Sequence, residues 1–280
     1  MDNLAYYNGI VAPYSEIRIP LSDRSVFFGD AIYEVMVGRG GICYQLDEHY
    51  ERLAGNASHL SLCAPEKEKL REIAARLTAG LGVSEFMLYL QLSRDKAVRS
   101  HSYGEKYKTN LLVTVSELSF PVHAECVGVV FAEDIRYKMC NIKTTNLLPA
   151  VIASQNAELS GCEEAVFIGE DGYVTECAHS NVFILNGRTL KTHPKSHRIL
   201  PGITRDTLIS LARNIGVETV LTPFTPRELL SADEIFITST TKLLRRVSTA
   251  DGVPCGMKNA QSAERFFELI YHDFLEKTGF

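Results

Sequence analysis

Two side chains in this chain are placed as carbonyl chemistry would need them. Asn141-Ile142-Lys143-Thr144-Thr145-Asn146-Leu147-Leu148 puts Lys143 where an apolar helix is expected to begin. Val174-Thr175-Glu176-Cys177-Ala178-His179-Ser180-Asn181 ends a short predicted strand on Glu176. An amine among apolar groups can shed its proton, attack a carbonyl carbon and form a Schiff base. A buried acid can keep a pyridinium nitrogen protonated. Each residue also has a plainer reading. Lys143 could be a solvated lysine at a helix N-terminus, where the dipole disfavours a cation. Glu176 could be a loop residue at a strand end.

Other residues suggest anion binding. In Leu200-Pro201-Gly202-Ile203-Thr204-Arg205-Asp206, a glycine before a helix start leaves backbone N–H groups free, and Thr204 adds a hydroxyl. Such a terminus can hold a phosphate, although Thr204 could equally cap the helix. Thr238-Ser239-Thr240-Thr241 is a second hydroxyl cluster. Arg52 falls on a predicted helix face, where a solvated arginine is the ordinary outcome. Arg99-Ser100-His101 lies in a loop after a strand; an arginine fork beside a histidine suits a carboxylate. Tyr33 sits in Phe28-Gly29-Asp30-Ala31-Ile32-Tyr33-Glu34 and could turn its phenol to a ligand or simply pack.

Composition narrows the field. The chain has 280 residues, 45% hydrophobic and 22% charged, enough for a large core and more naturally two domains than one. A net charge of −5 without a basic block argues against nucleic acid or an anionic membrane as partner. No apolar run approaches a membrane span, and Met1-Asp2-Asn3-Leu4 does not open a signal peptide. The seven cysteines are scattered with no Cys-x-x-Cys pair, so neither a metal centre nor a disulfide framework is expected. Reduced thiols fit a cytoplasmic location.

The elements that must position these residues follow from pattern. Asn8-Gly9 signals a hairpin, and Gly38-Arg39-Gly40-Gly41 another. Asp47 is expected to cap a helix from about Glu48 to Leu60, and Pro65 to open one that Gly80 ends. Phe86–Ser93 and Leu111–Val115 read as strands. This gives an N-terminal α+β half of about four strands and two helices. Residues 1–118 are read as the first domain, 119–123 as a linker around Pro121, and 124–280 as the second domain. The second domain is expected to hold a helix from about Leu147 to Ser160, hairpins at Asn186-Gly187 and Asp251-Gly252, and a helix from Ile203. A capping box at Thr225-Pro226-Arg227-Glu228 and a last helix to about Glu276 complete it.

In order along the chain these pieces resemble the fold type IV pyridoxal phosphate enzymes. The resemblance runs through Asp23-Arg24-Ser25-Val26-Phe27-Phe28-Gly29-Asp30, Glu48-His49-Tyr50-Glu51-Arg52-Leu53, the Lys143 and Glu176 segments, and Gly202-Ile203-Thr204-Arg205-Asp206. It covers nearly the whole chain. Within the family, Tyr33-Glu34-Val35, the Arg94…Arg99-x-His101 loop and Thr238–Thr241 are most similar to the D-amino acid aminotransferase branch. The resemblance implies a two-domain fold of α+β and α/β character. Its smaller N-terminal domain is α+β, and its larger C-terminal domain has a β-barrel-like sheet with flanking helices. It implies pyridoxal 5'-phosphate held by Lys143, with Glu176 on the ring nitrogen. Arg52, Ile203, Thr204 and Thr240 would bind the phosphate, and Tyr33, Arg99 and His101 the substrate α-carboxylate. The implied activity is transfer of an amino group between a D-amino acid and a 2-oxo acid, by a homodimer with a shared active site. A lyase acting on aminodeoxychorismate and a branched-chain L-amino acid transaminase are the alternatives within the fold. Two features depart from the branch: His179, where a small residue is expected, and the basic run Lys242-Leu243-Leu244-Arg245-Arg246. His179 could narrow the pocket or add a charge there, and a side chain of the basic run reaching the pocket could favour a dicarboxylate.

Overall fold

The computed structural model describes residues 3–95 and 99–279. The chain divides into two compact units. The first comprises the residues up to Phe120, the segment Ile142–Asn146 and the chain from Phe274 onward. The second comprises Pro121–Asn141 and Leu147–Asp273.

The first unit is a six-stranded sheet in the order β2-β1-β6-β5-β3-β4. Its strands are β1 (Leu4–Tyr7), β2 (Ile10–Pro13), β3 (Ala31–Arg39), β4 (Ile42–Cys43), β5 (Glu85–Asp95) and β6 (Lys108–Glu117). All its pairings are antiparallel. Asn8 and Gly9 both take positive φ at the β1–β2 turn, as the Asn-Gly pair requires. Three helices accompany the sheet: α1 (Arg24–Phe28), α2 (Leu46–His59) and α3 (Lys67–Leu81). Leu53, Ala57, Leu70, Ile73 and Leu77 bury against Met36, Leu88, Leu90, Val113 and Val115 in one core cluster. The period of two along β3 sends Ile32, Glu34 and Met36 into buried positions and leaves Tyr33 and Val35 half-buried.

Several local expectations are corrected here. Gln45, in the left-handed conformation, is the N-cap of α2. Asp47 lies inside the first turn, paired with Lys67 at 2.8 Å, where an acid also suits the helix dipole. Helix α3 runs through Gly80 and ends on Gly82 at φ 71°. The half has six strands among the described residues where pattern suggested about four; the short β2 and β4 are the second arms of the hairpins signalled at Asn8-Gly9 and Gly38-Arg39-Gly40-Gly41.

The second unit is built on a nine-stranded mixed sheet in the order β12-β11-β10-β13-β14-β7-β8-β9, with β15 (Val253–Pro254) paired to β14. The others are β7 (Cys126–Glu133), β8 (Glu164–Ile168), β9 (Val174–Cys177), β10 (Asn181–Asn186), β11 (Thr189–Thr192), β12 (Glu218–Leu221), β13 (Glu234–Ser239) and β14 (Leu243–Ala250). Strand β9 ends the sheet, yet only Ala178–Ser180 separate it from β10, deep in the other half of the order. So short a link requires the sheet to curl back on itself. Helices α4 (Leu148–Leu159), α5 (Ile203–Asn214), α6 (Pro226–Ser231) and α7 (Ala260–Lys277) flank it. Among the described residues no helix is long and apolar enough to cross a membrane.

Candidate active site

Lys143 precedes α4 by several residues and is extended, not helical. Strand β4 pairs only with Gly38 and Arg39 of β3, leaving the first half of that edge open. The segment around Thr144 fills it: Tyr33 N–H donates to the Lys143 carbonyl at 2.9 Å, and Thr145 N–H donates to the Ala31 carbonyl at 3.1 Å. An antiparallel bridge joins Ile32 and Thr144 between them. The expectation of a lysine at a helix head is thus replaced by a lysine added to a sheet edge, where the helix dipole is no obstacle. Its Nζ lies 4.4 Å from the centre of the Tyr33 ring, and Tyr33 stacks on Tyr89 at 5.5 Å.

Behind this face lies a buried ion cluster that sequence reading missed. Glu34 is fully buried and accepts from Arg52 Nε at 2.7 Å and Arg52 Nη2 at 2.8 Å. Its Oε2 also meets His49 Nδ1 at 2.8 Å. Burial alone would raise the Glu34 carboxyl; the charge and hydrogen bonds of Arg52, with those of His49, outweigh it and hold the group down at about 2. Burial lowers His49, against the pull of Glu34. A lone glutamate within Ile32-Tyr33-Glu34-Val35-Met36 was the available signal, since a charge in an apolar strand needs a partner. Arg52, expected on a phosphate, therefore has two nitrogens committed to Glu34.

Arg99 and His101 share an aromatic neighbour in the first unit. The Arg99 guanidinium lies 5.1 Å from the Phe28 ring centre, and the His101 ring 5.3 Å from it. Both residues are exposed.

In the second unit Glu176 is buried at the end of β9. Its carboxylate accepts from Arg136 Nη1 at 2.5 Å, Leu200 N–H at 3.0 Å and Asn181 Nδ2 at 3.0 Å. Arg136 also grips Asp134 through Nε at 2.9 Å and Nη2 at 2.8 Å. Two acids thus share one guanidinium, and the trio carries one surplus negative charge when both are ionised. Burial pushes Glu176 up to about 7 despite Arg136, whereas at Asp134 the bonds from Arg136 overcome burial and lower it. A buried acid left short of positive charge fits a protonated ring nitrogen, so the residues present suit the group that the sequence implied. Arg136 was not singled out from sequence; its only signal is the Asp134-Ile135-Arg136 spacing after a strand.

Asn181 and Leu200 connect this acid to the start of α5. Asn181 Nδ2 also donates to the Leu200 carbonyl at 3.1 Å, and a Cβ on Gly202 would fall 2.0 Å from Asn181 Oδ1. Gly202 is the N-cap of α5 and no side chain caps the helix, so Thr204 does not serve that purpose. Ile203 and Thr204 are buried in its first turn. In the Thr238–Thr241 cluster, buried Thr238 Oγ1 has no hydrogen-bond partner among the described residues, and Thr240 is half-buried in the turn after β13. The uncapped turn offers N–H donors suited to a dianion.

The departures are also placed. His179 Nδ1 lies 2.7 Å from Oε2 of the fully buried Glu164. Lys242 pairs with Glu163, Arg245 with Glu125 at 3.1 Å, and Arg246 with buried Glu234 through two bonds of 2.6 Å. Each cation of the basic run has an acid partner within its own unit.

Comparison with known proteins agrees with this picture. The family model for amino-transferase class IV matches residues 31–250. A D-alanine aminotransferase of Bacillus licheniformis is 35% identical over 273 residues, covering 92% of this chain and 94% of that protein. One from Listeria monocytogenes is 32% identical, covering 94% of each. Among solved structures, the branched-chain aminotransferase of Thermoproteus uzoniensis with norvaline superposes with a TM-score of 0.88 at 21% identity, covering 100% of this chain and 96% of that one. A putative 4-amino-4-deoxychorismate lyase of Legionella pneumophila gives 0.84 at 23% identity, covering 93% and 97%. At such identities the structures speak for the fold alone. With the family match spanning most of the sequence and relatives alike nearly end to end, the chain belongs to the class IV aminotransferases.

Proposed function

We propose that this protein is a pyridoxal phosphate-dependent transaminase that moves an amino group between a D-amino acid, such as D-alanine, and a 2-oxo acid, such as 2-oxoglutarate. The observation that carries the cofactor reading is the Asp134–Arg136–Glu176 trio around the buried Glu176 carboxyl, whose surplus negative charge when both acids are ionised suits a protonated ring nitrogen. The substrate reading is supported by the D-alanine aminotransferases at 35% and 32% identity. The lyase and branched-chain structures, at 23% and 21% identity, support the fold and do not outweigh those relatives.

When bound, the cofactor supplies a carbonyl that exchanges with amino groups and a ring that spreads the charge left when Cα loses its proton. Lys143 would hold the cofactor through its amine and carry the proton to and from Cα. Its strand-like placement on β3 fixes the backbone from which the amine reaches. Glu176 would keep the ring nitrogen protonated. The N–H groups of Ile203 and Thr204, with the Thr240 hydroxyl, would bind the phosphate, and Arg52, held by Glu34, would add positive charge. Tyr33, Arg99 and His101 would bind the α-carboxylate, which sets the face of Cα offered to Lys143 and hence the handedness accepted. The exposed apolar residues Leu148, Val151 and Ile152 on α4 favour assembly as a homodimer.

The test is a visible spectrum of the purified protein, titrated separately with D- and L-alanine. The cofactor band should fall with the D isomer only, and Lys143→Ala should lack that band. Response to L-alanine alone would overturn the handedness while keeping the cofactor.

A further inference from the structure

The stretch from Arg99 to Tyr107 has no regular secondary structure. Two arginines outside it nevertheless hold it closely. Arg24, 5% exposed, donates through Nη1 to the Ser100 carbonyl and through Nη2 to the His101 carbonyl at 3.0 Å. Its Nε donates to Asp30 Oδ2 at 2.7 Å. Arg94, 1% exposed, donates from its own Nε to that same oxygen at 3.1 Å and from Nη2 to the Leu60 carbonyl at 2.5 Å. Two rings of the stretch close over Arg94: its guanidinium carbon lies 3.7 Å from the Tyr103 ring centre and 4.4 Å from that of Tyr107. Tyr107 in turn donates its hydroxyl to the Ser61 carbonyl.

Two nearly buried cations share one carboxylate, an arrangement that apolar side chains could replace if covering the sheet were its only purpose. What the arginines gain in exchange is specific. One fork grips consecutive carbonyls, and the second guanidinium lies against two aromatic rings set edge to face, with centres 5.3 Å apart. Both attach to the stretch that carries Arg99 and His101.

We infer that Arg24, Asp30 and Arg94 are positioning residues that hold the Arg99–Tyr107 loop in the form that presents Arg99 and His101 to a substrate carboxylate. The inference rests on the reading above that these two residues bind that group. Arg24 holds the Ser100 and His101 carbonyls, which lie on either side of the His101 Cα, and Arg99 directly precedes Ser100. Arg94 anchors the far end of the loop through Tyr103 and Tyr107.

The experiment compares Arg24→Lys and Tyr103→Leu with the wild-type holoenzyme, using D-alanine with 2-oxoglutarate as carboxylate substrates and benzylamine as a carboxylate-free amine. Lysine keeps the charge opposite Asp30 but cannot bond Asp30 and two carbonyls together. The KM for D-alanine should rise about tenfold in each variant, the equivalent of losing one charge-assisted hydrogen bond, while the half-reaction rate with benzylamine stays at the wild-type value. An unchanged KM, or an equal loss with both classes of amine, would overturn the inference. Arg99→Ala separates the two readings. If it raises the KM and the two positioning variants do not, only the inference fails; if Arg99→Ala leaves the KM unchanged, the carboxylate assignment fails and takes the inference with it.

Discussion

Replacing Glu176 by glutamine separates the electrostatic role of this acid from its structural one. In the folded chain the carboxyl is pushed from its ordinary 4.5 up to about 7 by burial. Between those values the folded protein holds a proton that the unfolded chain has released, so stability falls as pH rises through that window and levels above about 7. The shift corresponds to about 3 kcal/mol at neutral pH and above. The amide removes that penalty. Against it, the carboxylate accepts from Arg136, Leu200 and Asn181, and an amide nitrogen must turn toward at least one of these donors, costing about 1–3 kcal/mol. The two effects nearly cancel. Cofactor-free Glu176→Gln should therefore melt close to wild type at pH 8, without the fall in stability between pH 5 and 7. Activity should respond differently, because a neutral amide cannot hold a ring nitrogen protonated and the charge developing on Cα loses its sink. Loss of one such stabilising group lowers a rate by about 10²–10³. Rapid mixing of the holoenzyme with D-alanine, followed at the cofactor's visible band, measures that step. A variant that retains cofactor and reacts at the wild-type rate would refute the reasoning.

Two further changes probe the neighbouring structure. In Gly202→Ala the new Cβ would fall 2.0 Å from Asn181 Oδ1, so either that side chain, which bonds Glu176 and Leu200, or the start of α5 must shift; cofactor affinity, followed by fluorescence titration of the apoprotein, should fall about tenfold or more, and an unchanged Kd would argue against the phosphate role of this terminus. Glu34→Gln takes the ionised partner of Arg52 and His49 out of a fully buried position and should cost about 3 kcal/mol at pH 7 in urea unfolding. The Glu34 carboxyl is held at about 2, so its stabilisation is full above the ordinary carboxylate range and fades as pH falls through about 2. The gap between variant and wild type should narrow at pH 3, and an equal gap at both pH values would argue against a charge effect.

Elements with strong local signals were legible in the sequence. The capping box at Thr225 is present with both of its bonds: Glu228 N–H to Thr225 Oγ1 at 3.2 Å, and Thr225 N–H to Glu228 Oε2 at 2.8 Å. The turns at Asn8-Gly9 and Asp251-Gly252 take the positive φ their residues favour. The setting of Lys143 was not legible. Its bonds to β3 come from a segment too short to show an alternation, and the stretch of β3 edge it occupies is open only because β4 is short. Arg136 was invisible for a related reason, since nothing local marks an arginine that will share itself between Asp134 and Glu176. The pairing of Glu34 with Arg52 was not read either, because 18 residues of sequence separate the two and only the fold brings them together.

The five residues from Ile142 to Asn146 are visitors, entering the first unit from chain that otherwise builds the second. A fragment ending at Phe120 would lack them, leaving the Tyr33 N–H and the Ala31 carbonyl bare along an open strand. Such an edge invites pairing with another copy. The first half of this protein is thus not a self-contained module: the peptide that carries Lys143 also covers an open edge of its sheet.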